Sequence, residues 1–151
     1  MTVTNLLVDT NVLVYAYDRS EPVKQKRALE ILDALAKAEI GVLSAQVLSE
    51  FFNSVTRKIV SPLSVADAYE RVKNYVAAWT ILDLTELVVL EAARGVRDHQ
   101  FSLWDAQIWA VARLNQIPLV LTEDFQTGAV VEGVRFLNPF EPAFDLRAVL
   151  L

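Results

Sequence analysis

Four acidic residues, Asp9, Glu50, Asp105 and Asp124, stand where an open α/β sheet would bring them together. Asp9 closes the apolar run Leu6-Leu7-Val8 and opens Thr10-Asn11, and Asp124 follows Leu119-Val120-Leu121-Thr122-Glu123. Carboxylates at the carboxyl ends of buried parallel strands lie where ligands bind in such sheets, so several converging there point to a metal site. Hard divalent cations take carboxylate and water oxygens, and Mg²⁺ is commonly completed by substrate phosphate. One ion can lower the pKa of a coordinated water, and a second, roughly 4 Å away, can stabilise a leaving oxygen. Phosphodiester hydrolysis is therefore the leading expectation.

Each acid also has a plainer reading. Asp9 after a strand serves as a helix cap, and Asp124 serves equally as a turn cap. Asp105 shares a helix face with Ile108, Trp109 and Ala112, which puts it on a buried side. A buried carboxylate needs a hydrogen-bonding partner, a cation or a raised pKa, so an ion pair or a capping contact to a neighbouring loop competes with a metal there. Glu50 falls on a face with Gln46, Ser54 and Arg57, and periodicity alone makes it a solvated glutamate. It joins the others only if the first half of its helix borders the same cleft, where Asn53 would assist.

Composition narrows the chemistry. With no cysteine and a single histidine, His99, neither a thiolate site nor a His-based zinc cluster is available, and any metal has oxygen ligands. Asp98-His99-Gln100 reads first as a polar helix end. The phosphate-binding G-x-x-x-x-G-K-[ST] loop, the G-x-G-x-x-G turn and the G-x-S-x-G elbow are all missing. A net charge of −5 counts against broad nonspecific nucleic-acid affinity, which depends on Lys and Arg. Lys24, Lys26, Arg27, Arg57 and Lys58 remain as possible phosphate contacts, although a solvated helix face accounts for them too. The three tryptophans, Trp79, Trp104 and Trp109, read as core before they read as base-stacking platforms.

The elements that must position the acids follow from periodicity. Residues 4–9 form a short buried strand and a brief helix follows through Val12, Leu13 and Tyr15. Glu21-Pro22 opens a longer helix to about Ala38 with Leu29, Leu32, Leu35 and Ala36 at helical spacing. A second strand spans 40–43, and Ser44 caps a helix carrying Leu48, Phe51, Phe52, Val55 and Ile59. Ser64 opens an amphipathic helix to about Trp79, and 80–83 is a third strand. Thr85 and Ser102 cap two more helices, and 118–122 and 134–137 are the last strands. Alternation of this kind implies a parallel sheet of about five strands with helices on both faces. At 151 residues, one domain over 1–151 suffices, with 139–151 an apolar tail that docks on its own domain or on a partner. The start Met1-Thr2-Val3-Thr4-Asn5 has no basic n-region, and no apolar stretch nears the ~20 residues needed to span a bilayer, so a cytoplasmic protein with no membrane association is expected.

Taken together, Leu7-Val8-Asp9-Thr10-Asn11-Val12-Leu13, Leu48-Ser49-Glu50-Phe51-Phe52-Asn53, Leu103-Trp104-Asp105-Ala106 and Leu121-Thr122-Glu123-Asp124-Phe125 resemble the motifs of PIN-domain nucleases, and among them the VapC-type toxins of toxin–antitoxin pairs. The resemblance runs over about residues 5–138. It implies one or two Mg²⁺ or Mn²⁺ ions held by Asp9, Asp105, Glu50 and Asp124, with Thr10, Asn11 and Thr122 in support. It further implies an endoribonuclease leaving a 5′-phosphate and a 3′-hydroxyl, a homodimer, and a cognate antitoxin that covers the acidic cleft. Beside Asp124, Glu123 offers a substitute ligand. Two alternatives within the resemblance are a non-catalytic RNA- or protein-binding module and a housekeeping RNA-processing nuclease without antitoxin. Phosphoryl transfer through an aspartyl phosphate is disfavoured, because Asp9 is followed by Thr10-Asn11 rather than by a second Asp two residues on.

Overall fold

The computed structural model describes residues 4–150, so Met1-Thr2-Val3 and Leu151 lie outside the described residues. The chain runs β1 (Leu6–Val8), α1 (Thr10–Tyr15), α2 (Pro22–Ala38), β2 (Gly41–Ser44), α3 (Ala45–Arg57), α4 (Val65–Ala78) and β3 (Thr80–Leu82). It continues through α5 (Glu86–His99), α6 (Leu103–Leu114), β4 (Leu119–Leu121), β5 (Val130–Val131), β6 (Val134–Leu137) and α7 (Leu146–Leu150). The strands form one sheet in the order β3-β2-β1-β4-β6-β5.

β1 is central because all three of its residues are apolar and fully enclosed, which suits a parallel strand covered on both faces. From it the chain crosses outward to β2 and β3 on one side, and β4 and β6 lie on the other. The direction of winding thus reverses between β1 and β4, and Val8 sits in register with Leu121 at their carboxyl ends. That crevice is where ligands bind in open α/β sheets. Asp9 and Thr122, each one residue past those ends, face each other across it.

The side-chain caps expected at Ser44, Ser64, Thr85 and Ser102 are all made, each accepting the N–H three residues on at 3.1–3.2 Å. Two features depart from the sequence reading. The buried stripe of α2 is Ala28, Ile31, Leu32 and Leu35, with Leu29 half exposed, because the sheet meets the helix one position round from the stripe the leucines suggest. The sheet also has a sixth strand, the two-residue β5, which pairs antiparallel with β6 through the turn Glu132-Gly133. Both turn residues have positive φ, +47° and +85°, as a tight hairpin of this hand requires. Gly133 supplies that conformation freely, whereas Glu132 is held in it by Arg94 at 2.9 Å and His99 at 2.6 Å. The histidine is therefore a clamp on the hairpin.

The apolar tail docks on its own domain. Phe140, Phe144, Leu146, Val149 and Leu150 pack against the core, and Arg27 donates to the carbonyls of Pro139 and Phe144 at 3.0 and 2.8 Å. At the far edge Trp79 lies over Gly41 so closely that a Cβ there would come within 2.2 Å of its ring. Gly41→Ala is accordingly expected to destabilise the protein by about 1–3 kcal/mol, measured as a lower urea midpoint, since the ring must be displaced.

Candidate active site

Three of the four acids expected to converge, Asp9, Glu50 and Asp124, are joined by hydrogen bonds at the switch point. Asp9 is 4% exposed and caps α1, accepting the Thr10 N–H through Oδ1 at 2.7 Å. Its Oδ2 accepts the Thr122 hydroxyl at 2.8 Å. Glu50, on α3, accepts the Thr10 hydroxyl at 2.8 Å. Asp124 accepts the Asn11 amide at 3.1 Å, and Thr122 Oγ1 takes the Asp124 N–H at 3.1 Å. Asn11 also donates to Thr122 at 3.3 Å, so Thr10, Asn11 and Thr122 stitch three of the acids together. Asp105 is half-buried in the first turn of α6, and no side-chain bond ties it to the other three among the described residues.

Asp105 nonetheless feels the charge of two of them. Its pKa is raised, first by burial and further by the charges of Asp124 and Glu50, while a hydrogen bond with Ser102 pulls it down. Burial is also the main cause that pushes Asp9 up to about 7; the bonds from Thr122 and Thr10 oppose it, and the charges of Asp124 and Glu50 add to it. None of the four carboxylates forms a salt bridge among the described residues, although Glu91, Asp98, Glu123 and Glu132 all do. The ion pair considered for Asp105 is therefore not made, whereas the capping role of Asp9 is real and coexists with its place in the cluster.

Glu50 corrects the periodicity reading. It is half-buried and gripped from two sides, because Gln46, on the same face, is buried rather than solvated. Gln46 Nε2 donates to Glu50 Oε1 and to the Trp104 carbonyl, each at 3.3 Å, and Gln46 Oε1 accepts from Gln107 at 2.7 Å. This buried relay, which sequence reasoning missed, ties the helix of Glu50 to the helix of Asp105. Two glutamines a few residues from two motif acids were the available signal. Gln46→Leu is expected to lower stability by about 1–3 kcal/mol in thermal melts, since it strands the Gln107 amide in the core.

Other expected positions fall elsewhere. Glu123 is committed to Tyr15 at 2.6 Å and Lys24 at 3.1 Å. Asn53 is exposed on α3, and its side chain makes no hydrogen bond among the described residues. Trp104 is not core: it is 61% exposed beside Asp105, because α6 turns its opposite side inward.

The donor set is all oxygen and lacks a cation, which fits a hard divalent ion. Among the described residues no three acidic or histidine side chains are spaced to hold one ion as they stand.

The protein is thus an α/β domain with carboxylates free of basic partners, among the described residues, at the switch point of its sheet. Residues 6–130 match the PIN domain, and the chain belongs to that family. No curated protein matches it in sequence. Its fold resembles a toxin–antitoxin complex from Klebsiella pneumoniae, with a TM-score of 0.67 and 18% identity over 91% of this chain and 99% of that one. It also resembles VapC20 of Mycobacterium tuberculosis, a sarcin-ricin-loop-cleaving toxin, with a TM-score of 0.64 and 17% identity over 77% and 87%. VapBC2 from Rickettsia felis, bound to a promoter DNA fragment, gives 0.61 and 15% over 88% and 97%.

Proposed function

We propose that this PIN domain is a metal-dependent endoribonuclease acting as the toxin of a toxin–antitoxin pair. One observation carries the reading: four converging carboxylates, one of them almost wholly buried, have no basic partner among the described residues. Such an arrangement stores repulsion that a bound cation relieves. The four motif acids, all present, favour an active enzyme over a binding module.

Asp9, Asp105, Glu50 and Asp124 would hold Mg²⁺ or Mn²⁺, as one ion or two. When bound, the ion supplies water activation and charge stabilisation on the leaving oxygen. The protein's own part is orientation. Thr122 and the Thr10 N–H fix Asp9, the Thr10 hydroxyl and Gln46 fix Glu50, and Asn11 fixes Asp124, so that three of the four carboxylates are held at the crevice. Hydrolysis of RNA by water would leave a 5′-phosphate and a 3′-hydroxyl.

The toxin reading draws support from the toxin–antitoxin neighbours, from which a cognate antitoxin is carried over as part of the proposal; a homodimer belongs to the proposal on the motif resemblance alone. An RNA target draws support from VapC20. A cytoplasmic site of action belongs to the same proposal, and no helix among the described residues is long and apolar enough to cross a membrane. Purified protein given total RNA with Mg²⁺ or Mn²⁺ is expected to release discrete fragments, none of them in chelator. Intact RNA after incubation with folded, metal-loaded protein would remove the nuclease reading. Expression without an antitoxin is expected to arrest growth, and unimpaired growth with active enzyme would favour the housekeeping role.

A further inference from the structure

Beside the acids a cleft of about 390 Å³ opens between α1 and the C-terminal half of α3. Thr10, Asn11 and Asp124 join it to the acid cluster, Val14, Ile59 and Val60 give it apolar wall, and Lys58 is the one cation lining it. Glu50 and Lys58 are eight residues apart, roughly 12 Å along the helix direction, with the cleft-lining Ser54 midway.

The charges decide what fits. Of the ionic side chains lining the cleft, Glu123 is engaged by Tyr15 and Lys24, and Asp18 by Ser20. Lys58 makes no salt bridge or side-chain hydrogen bond among the described residues, while Lys24, Lys37, Arg94, Arg97 and Arg113 are all paired. Val60 is 77% exposed, an apolar residue that the core does not use. A cation-loaded acid cluster at one side and a free lysine at the other select phosphate twice, with room for an apolar face between. A peptide would need an acidic side chain at each of the two positions with an apolar one between.

We propose that this cleft is the subsite for the nucleotide flanking the scissile phosphate of single-stranded RNA, its base against Val14, Ile59 and Val60 and its outer phosphate on Lys58 Nζ. The proposal rests on the ribonuclease reading and adds to it where the substrate strand runs. Unpaired RNA is recognised by such combinations of backbone cation and base-contacting surface.

The test compares Lys58→Ala and Val60→Asp with Lys73→Ala, an exposed lysine on α4 that carries the same charge change. Steady-state cleavage of a mixed-sequence pool of short single-stranded RNA gives KM and kcat. Fluorescence anisotropy of the same labelled pool, with Ca²⁺ in place of Mg²⁺ so that the acids stay loaded while turnover is suppressed, gives binding alone. Lys58→Ala is expected to raise KM and Kd about fivefold, leave kcat within about twofold, and reduce the salt slope of log Kd by about 0.7, the value for one single-strand phosphate contact. Val60→Asp is expected to weaken binding at least as much, and Lys73→Ala to change neither constant. If wild type cleaves RNA and both cleft variants behave like Lys73→Ala, the subsite is overturned while the nuclease stands, and the cleft falls to a peptide partner. If wild type neither cleaves nor binds RNA, the nuclease reading fails and takes the subsite with it.

Discussion

Asp9→Asn is expected to lower RNA cleavage about a thousandfold and to abolish the stabilisation of the protein by Mg²⁺ or Mn²⁺. The rate effect corresponds to roughly 4 kcal/mol of transition-state stabilisation, in line with the several kcal/mol that a bound metal supplies. Asp9 is the acid on which the site turns: it is 4% exposed, it caps α1, and it meets Thr122 across the crevice between β1 and β4. The amide is nearly isosteric and still accepts the Thr10 N–H, so folding survives and the loss is one of charge. At metal near 100 times Kd a ligand that binds only the folded state contributes about 2.7 kcal/mol, which for a domain of this size raises Tm by about 5–10 °C. A wild-type protein whose Tm ignores millimolar metal, or an Asp9→Asn variant that keeps the shift, would contradict this role.

The same substitution is expected to stabilise the metal-free protein above neutral pH. Burial raises Asp9 from 3.8 to about 7, so below about pH 4 both the folded and unfolded chains hold its proton. Between there and about pH 7 only the folded chain holds it, and above that neither does. Stability conferred by the neutral carboxyl is therefore lost as pH rises through this window, by about 4 kcal/mol in all. Asparagine does not titrate there. In chelator at pH 8, Asp9→Asn should melt several degrees above wild type, with the gap closing toward pH 5. Metal added at pH 8 should recover the deficit in wild type alone. A gap that is the same at pH 5 and pH 8 would show that burial of the charge is not what separates the two proteins.

Much of this arrangement was legible in the sequence, for physical reasons that also mark where legibility ended. The run Leu6-Leu7-Val8 reads as a buried strand because it has no polar face, and Asp9 at its end announces the crevice. Capping residues such as Ser44, Ser64, Thr85 and Ser102 mark helix starts because their side chains satisfy local N–H groups, a short-range effect. Glu50 was legible only through resemblance. Its burial depends on Gln46 meeting Gln107 and the Trp104 carbonyl from another helix, which no periodicity encodes. Trp104 was misread for a similar reason, since its hydrophobicity says core while the direction of α6 leaves it in solvent. The β5 strand escaped notice because two residues carry no pattern, and its turn places a glutamate where glycine or asparagine is usual. Arg94 and His99 hold that glutamate in place from a different element.

The central claim is that the carboxylate cluster directs metal-dependent attack of water on an RNA phosphodiester, and the chemistry of the cut ends tests it most directly. Fragments from wild-type protein in Mg²⁺ or Mn²⁺ should carry 5′-phosphates and 3′-hydroxyls, ligating to an adaptor without prior treatment, and should be missing with chelator or with Asp9→Asn. Fragments ending in 2′,3′-cyclic phosphates, or cutting that persists undiminished in Asp9→Asn, would mean that the reaction runs through the RNA's own 2′-hydroxyl or through another site, and the account given for these four acids would be wrong.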